Sequence, residues 1–141
     1  MNVLLYTLKR KGHEVLGAEV KEIDLPNETS ARLKTMYEVM NCDMVEHIAF
    51  EYRGEEYDLW CDEEFLLKEY PIATLLIGDL KPNRFTVICG NFIISRTQYT
   101  EEGADMSSLS KADVRKLRGF IDEGQLKLKI AFAKGLIGRR N

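Results

Sequence analysis

The residues most able to do chemistry in this chain are three cysteines (Cys42, Cys61, Cys89) and two histidines (His13, His47). A structural zinc site needs four well-placed ligands. No CxxC or HxxxH spacing supplies them, so no metal centre is expected. Cys61 with His47 as its base on a neighbouring strand would be the arrangement of a thiol nucleophile. Cys61 follows Trp60 in an apolar stretch, however, where free cysteine behaves as a small buried hydrophobe. Three widely spaced cysteines do not make a disulfide framework. The glycines form neither GxxxxGK nor GxGxxG. The segment KGLIGRR, residues 134–140, has glycine and positive charge without a strand–loop–helix context.

Carboxylates are concentrated in residues 50–70, FEYRGEEYDLWCDEEFLLKEY, which hold eight acids, six aromatics and only two cations, Arg53 and Lys68. General acid–base work needs two carboxylates in a cleft with separated pKa values. Glu55 and Glu56 instead read as part of an exposed turn, where both stay ionised. What remains is binding. An acidic surface with interleaved aromatics suits the basic channel of a nucleic-acid enzyme, its carboxylates standing in for phosphates. The candidate partner-binding residues are Glu51, Glu55, Glu56, Asp58, Asp62, Glu63 and Glu64, with Glu55, Glu56 and Asp58 the freest to engage. No catalytic, cofactor-binding or metal-binding residue is expected.

The chain has 141 residues, 45% hydrophobic and 30% charged, which suits one globular domain. No apolar run approaches the roughly 18 residues that cross a bilayer. The N-terminal order, apolar then basic, is the reverse of a secretory signal, so a cytoplasmic protein is expected. Charge is unevenly placed. Residues 1–110 hold 11 Lys/Arg against 20 Asp/Glu, and residues 111–141 hold 9 against 3. The basic end has two readings. Lys127, Lys129, Lys134, Arg139 and Arg140 contact nucleic acid phosphates, or they guard a solvated edge strand on which two copies can pair as a homodimer.

The elements that must position these residues follow from periodicity. Strands are expected at 2–7 and 15–25, joined as a hairpin around Gly12, at 44–52 and 57–61 around a turn at Arg53–Glu56, and at 72–77 and 84–96. Gly90 inside the last run predicts a bulge or split at Gly90–Asn91. Leu33, Met36, Tyr37 and Met40 share one helical face, predicting a helix over about 28–41 capped by Asn27 or Thr29. Asp62 reads as the cap of a short helix ended by Pro71, with Glu63 and Glu64 in its first turn. Residues 97–107 read as a loop. Ser110 and Asp113 resemble a capping box opening a helix over 111–122, with Val114, Leu117 and Ile121 inward. LKLKI, residues 126–130, alternates as a strand would, although the following residues equally suit a short helix. The expectation is a single compact α+β domain over 1–124, a mostly antiparallel sheet with two main helices, followed by a basic segment over 125–141 packed on it.

The ordered series LKTMYEVMNCDMVEHIAF, YDLWCDEEFLLKEYPIATLLIGD, VICGNFIISR and EEGADMSSLSKADVRKLRGFI resembles a small domain family of unknown function. That family is carried by bacteriophages, plasmids and integrative elements and is associated with anti-defence genes. Asp62-Glu63-Glu64 with Leu66 and Leu67, and Gly90-Asn91 with Ile93 and Ile94, fit its motifs. The resemblance covers about residues 30–122 and departs at Phe65, where the family usually has glycine. It implies a type II anti-CRISPR protein acting in a bacterial host cell, which binds the RNA-guided DNA nuclease directly and is not an enzyme. A nucleic-acid-binding accessory of a phage or conjugative element is the rival reading, and a structural or assembly domain a third.

Overall fold

The computed structural model describes residues 1–12, 14–64, 72–81 and 84–137. Eight strands and two helices are present among them: β1 (Asn2–Lys11), β2 (Glu14–Asp24), α1 (Thr29–Met40), β3 (Val45–Tyr52), β4 (Glu55–Asp62), β5 (Ala73–Asp79), β6 (Arg84–Cys89), β7 (Phe92–Thr100), β8 (Gly103–Ser107) and α2 (Lys111–Ala133). All strand pairs are antiparallel. The α+β class expected from the sequence is therefore the class observed. No helix among the described residues is long and apolar enough to cross a membrane.

The main sheet runs in the order β2-β1-β7-β4-β3, with β8 also paired to β7. β5 and β6 form a separate hairpin. Side chains alternate across a strand, and here that alternation sorts two cores. Leu4 and Tyr6 of β1, Tyr57, Leu59 and Cys61 of β4, and Phe92 and Ile94 of β7 pack with Leu117, Phe120 and Ile121 of α2. Val3, Leu5, Trp60 and Ile93 point the other way and pack with Met36 and Met40 of α1. β7 is central, and Phe92, Ile93 and Ile94 are all fully buried. A strand covered on both faces reads as a continuous apolar run for that reason.

Turns decide which residues reach which face. The β3–β4 hairpin closes on Arg53 and Gly54 alone, with φ of 50° and 84°. Positive φ at both central residues is the two-residue turn whose twist matches paired strands. Glu55 and Glu56 are thus the first residues of β4 and not turn residues, and they point to opposite faces. Gly90 splits the 84–96 run as expected. It has φ 77°, and its N–H donates to the Ile72 carbonyl at 2.8 Å.

Four sequence expectations need correction. The cap of α1 is Glu28, whose carboxylate accepts from the N–H groups of Ser30 (3.0 Å) and Ala31 (2.7 Å). These bonds, the one from Ala31 foremost, lower its pKa. Neither Asn27 nor Thr29 is the cap. Residues 97–107 are not a loop, since β7 and β8 form a hairpin there. The helix expected to end at 122 continues to Ala133. LKLKI lies inside it, because Leu128 and Ala131 are buried at helical spacing against Leu76 of the β5–β6 hairpin. Residues 126–130, expected as the basic edge strand on which two copies would pair, are therefore helix and not strand. The short helix expected after Asp62 falls mostly on residues 65–71, outside the described residues.

The capping box of α2 is present. The Asp113 N–H donates to Ser110 Oγ at 3.1 Å, and the Ser110 N–H donates to Asp113 Oδ2 at 2.8 Å. Asp113 is itself buried. It accepts from the Tyr57 hydroxyl at 2.7 Å and faces Arg96 at 3.3 Å, which ties the start of α2 to β4 and β7.

Candidate functional site: an acidic strand face and the cleft beside helix α1

On the α1 side of the sheet, the β3–β4 register sets His47 opposite Trp60, Ala49 opposite Asp58 and Glu51 opposite Glu56. His47 Nε2 lies 3.0 Å from Asp58 Oδ1, and the Thr97 hydroxyl donates to Asp58 Oδ2 at 2.7 Å. Trp60 Nε1 donates to Ser95 Oγ at 3.1 Å, and its ring packs 5.0 Å from that of His47. Tyr99 is 70% exposed at the end of β7, and its hydroxyl donates to Glu56. That bond, more than any other effect, raises the Tyr99 pKa by holding the phenol proton.

A cleft of about 310 Å³ separates this face from α1. Arg32, Leu33 and Met36 wall it, His47 and Trp60 lie across from them, and β8 closes one end at Ala104–Met106. Arg32 is 8% exposed. Its NH2 donates to the Asn27 carbonyl at 2.8 Å, and its NH1 reaches the half-exposed Asp105 at 3.4 Å. Its Nε–H meets no acceptor.

The seven acids singled out from the sequence are not one surface. Glu51, Glu56 and Glu63 are exposed. Glu55 points to the α2 side and pairs with Arg96 at 2.6 Å. Asp58, expected to be free, is 4% exposed and held by His47 and Thr97. Asp62 is buried as well, and accepts from the Glu64 N–H at 2.9 Å. Glu64 is half-buried. On β4 the pleat turns Glu55 to the α2 side, while Glu56, Asp58 and Asp62 share the α1 side and differ in what covers them there.

Cys61 and His47 point to opposite faces of the sheet. The Cys61 thiol sits with the α2-side core and donates to Glu46 at 3.7 Å. Burial first, and the Glu46 charge next, push its pKa up to about 12. A thiol of that kind is not an activated nucleophile, and Cys61 is the small buried hydrophobe expected from its apolar stretch.

The basic set also divides. Lys127 is half-buried and donates from Nζ to the Gly78 carbonyl at 3.0 Å, so it holds β5 against α2. Lys129 and Lys134 are exposed. Arg139 and Arg140 lie outside the described residues. Exposed Lys111, Arg115, Arg118 and Lys129 fall on one stripe of α2, by a helix period of 3.6 residues, with the exposed acid Asp122 among them.

Sequence reading passed over Arg32 and Tyr99. Arg32 carried a usable signal, since it stands four and eight residues before the buried Met36 and Met40 and so shares their helix face. Tyr99 was hidden by reading its strand as a loop.

Fold and site define a sheet-centred α+β domain with a helix on each face and an acidic, aromatic-lined surface beside α1. Residues 13–121 match the family described as Domain of unknown function (DUF3846), and the chain belongs to that family. No curated protein and no solved structure matches the chain. The family match stops inside α2, so the last turns of that helix lie beyond it.

Proposed function

We propose that this chain is a mobile-element anti-defence protein, which inhibits a type II CRISPR RNA-guided DNA nuclease by binding it directly and not by catalysis. The motif resemblance suggests the partner. One observation in the fold supports the binding mode: Glu51 and Glu56 are directly opposed on the exposed α1-side face, with Tyr99 beside them. Like charges directly across a strand pair destabilise a sheet. Among the described residues neither acid is ion-paired. A basic partner surface relieves that repulsion, and a large exposed tyrosine at its edge supplies contact area.

The test is DNA cleavage by a purified effector, titrated with this protein at two salt concentrations. Wild type inhibits near stoichiometry and loses potency as salt rises. The Glu51→Lys/Glu56→Lys variant is expected to lose about tenfold in potency, mainly through slower association, and to become less sensitive to salt. Unchanged potency in that variant removes the acidic face from the mechanism. No inhibition of several effectors by wild type removes the nuclease-inhibitor reading itself.

A second reading is favoured by the cationic stripe on α2: a nucleic-acid-binding accessory that meets phosphates through Lys111, Arg115, Arg118 and Lys129. Here duplex DNA binding is expected to weaken steeply with salt. Converting Arg115 and Arg118 to glutamine should lower the log–log slope by roughly 2, one per lost phosphate contact. A flat salt dependence discards this reading.

A further inference from the structure

β3 is the outer strand of the main sheet, and among the described residues no strand pairs with its far side. Edge strands are normally blunted by lysine, proline or a bulge. The other edge of this sheet has such devices: β2 carries Lys21, and its register with β1 shifts between Lys9 and Arg10. β3 has none of them. Its sequence VEHIAFEY holds no lysine or proline, and its register with β4 is unbroken. The hairpin fixes which backbone groups face outward. Opposed residues of an antiparallel pair alternate between exchanging both N–H···O bonds and exchanging neither. The pair flanking a two-residue turn exchanges them, here Tyr52 with Glu55. The Glu63 N–H donates to the Met44 carbonyl at 3.1 Å, which gives the same phase at the other end of the strand. Even-numbered residues of β3 therefore turn their backbone groups to β4, while His47, Ala49 and Glu51 turn theirs to the open edge. All three are exposed.

We propose that β3 pairs antiparallel with β3 of a second copy of this chain, about a two-fold axis through Ala49, and so joins two main sheets into one. The strand is self-complementary in that register. Ala49 meets Ala49 across the axis, and each His47 meets Glu51 of the other copy, so the outward-facing residues exchange roughly six backbone hydrogen bonds. Each Glu51 carboxylate then stands opposite an imidazole. On the α2 side Ile48 stands against Phe50, and Glu46 against Tyr52, so no acid meets an acid. An axis through Ile48 would instead oppose Glu51 to Val45 and Glu46 to Phe50, leaving both acids against apolar groups. A groove of about 300 Å³ flanks the edge on the α2 side, with Phe50, Tyr52, Leu76 and Phe120 in its walls. The register brings Ile48 of the second copy to its mouth. Such a pairing uses the same patch twice and closes on itself, so it gives a dimer and not a fibre. This inference does not rest on the nuclease-inhibitor reading, and its failure leaves that reading standing.

The full-length chain is followed by sedimentation velocity from micromolar to submillimolar concentration, where a concentration-dependent dimer is expected. Ala49→Pro removes an N–H that makes no bond to β4, at an edge position that tolerates proline, and should leave the chain monomeric. Ala49→Lys keeps the backbone donor and sets two cations face to face on the axis, which should weaken the dimer about fivefold. Thermal melts check both folds, and Ala49→Lys decides alone if Ala49→Pro melts early. Cross-linking tests the register. Ala49→Cys puts two thiols on residues about 5.5 Å apart between Cα atoms, within disulfide reach, and should cross-link under mild oxidation. Glu51→Cys puts them far apart and should cross-link no faster than wild type with its native cysteines. A wild-type chain that stays monomeric at every concentration overturns the proposal. So does a dimer undiminished in Ala49→Lys, or cross-linking of Glu51→Cys as fast as that of Ala49→Cys.

Discussion

Replacing Asp113 with alanine is expected to destabilise the fold by about 2–4 kcal/mol, most simply measured by urea unfolding. Three connections are lost together. The helix α2 loses its capping box, the buried Tyr57 hydroxyl loses its acceptor, and Arg96 loses one of two carboxylates. The cost stays below that of stranding a buried charge, because Arg96 keeps Glu55 at 2.6 Å and is 37% exposed. Against a total stability of about 5–15 kcal/mol, such a loss is severe. The same residue gives a pH signature. Burial works against its ionisation, but the Ser110 N–H, the Tyr57 and Ser110 hydroxyls and Arg96 together outweigh it, and its pKa is lowered. Its contribution is therefore fully present above the unfolded aspartate value, about 3.9, and fades as pH falls from there through the folded value. Asp113→Asn should be less stable than wild type at neutral pH, and the gap should narrow with acidification. A gap that is constant with pH would show that the charge of Asp113 contributes nothing.

Gly124→Ala and Gly119→Ala should move stability in opposite directions, although both replace glycine inside α2. A Cβ at Gly124 would lie 2.4 Å from Leu75 Cδ1 and 2.9 Å from the Leu76 carbonyl oxygen. The carbonyl belongs to a strand backbone and cannot rotate aside. Overpacking of this kind costs about 1–3 kcal/mol, which exceeds the gain of about 1 kcal/mol from replacing helical glycine by alanine. At Gly119 nothing lies within 4 Å of the added Cβ, so only the gain of up to about 1 kcal/mol remains. Paired thermal melts decide the matter. Two stabilising substitutions would mean that α2 does not pack on β5 as closely as Gly124 implies. That contact matters for the whole C-terminal half, because Gln125 and Lys127 in the next turn donate to the Thr74 and Gly78 carbonyls of β5.

Local signals were legible wherever they acted on neighbours in the chain. The Arg53–Gly54 turn, the split at Gly90, the Ser110–Asp113 capping box and the inward face of Val114, Leu117 and Ile121 could all be read from residue type and spacing. The C-terminal segment could not. LKLKI alternates in period two, yet burial of Leu128 and Ala131 against a distant hairpin holds it as helix. The cap of α1 was misassigned for a related reason: Asn and Thr are better caps on average, but Glu28 holds the extended backbone that lets its carboxylate reach two N–H groups.

The sequence by itself determined an acid-rich, aromatic-rich stretch, an α+β class and the position of most strands, because composition and periodicity are properties of the chain. Only the tertiary structure decided what the acids do. The pleat of β4 sent Glu55 to Arg96 on one face and Glu56 and Asp58 to the other, where His47 and Thr97 cover Asp58 while Glu56 stays exposed opposite Glu51. It also brought Arg32 of α1 across from Trp60 of β4, residues 28 positions apart in the chain. Side-chain direction alternates with every residue, while the identity of the face, and of what packs on it, depends on strand pairings between distant segments.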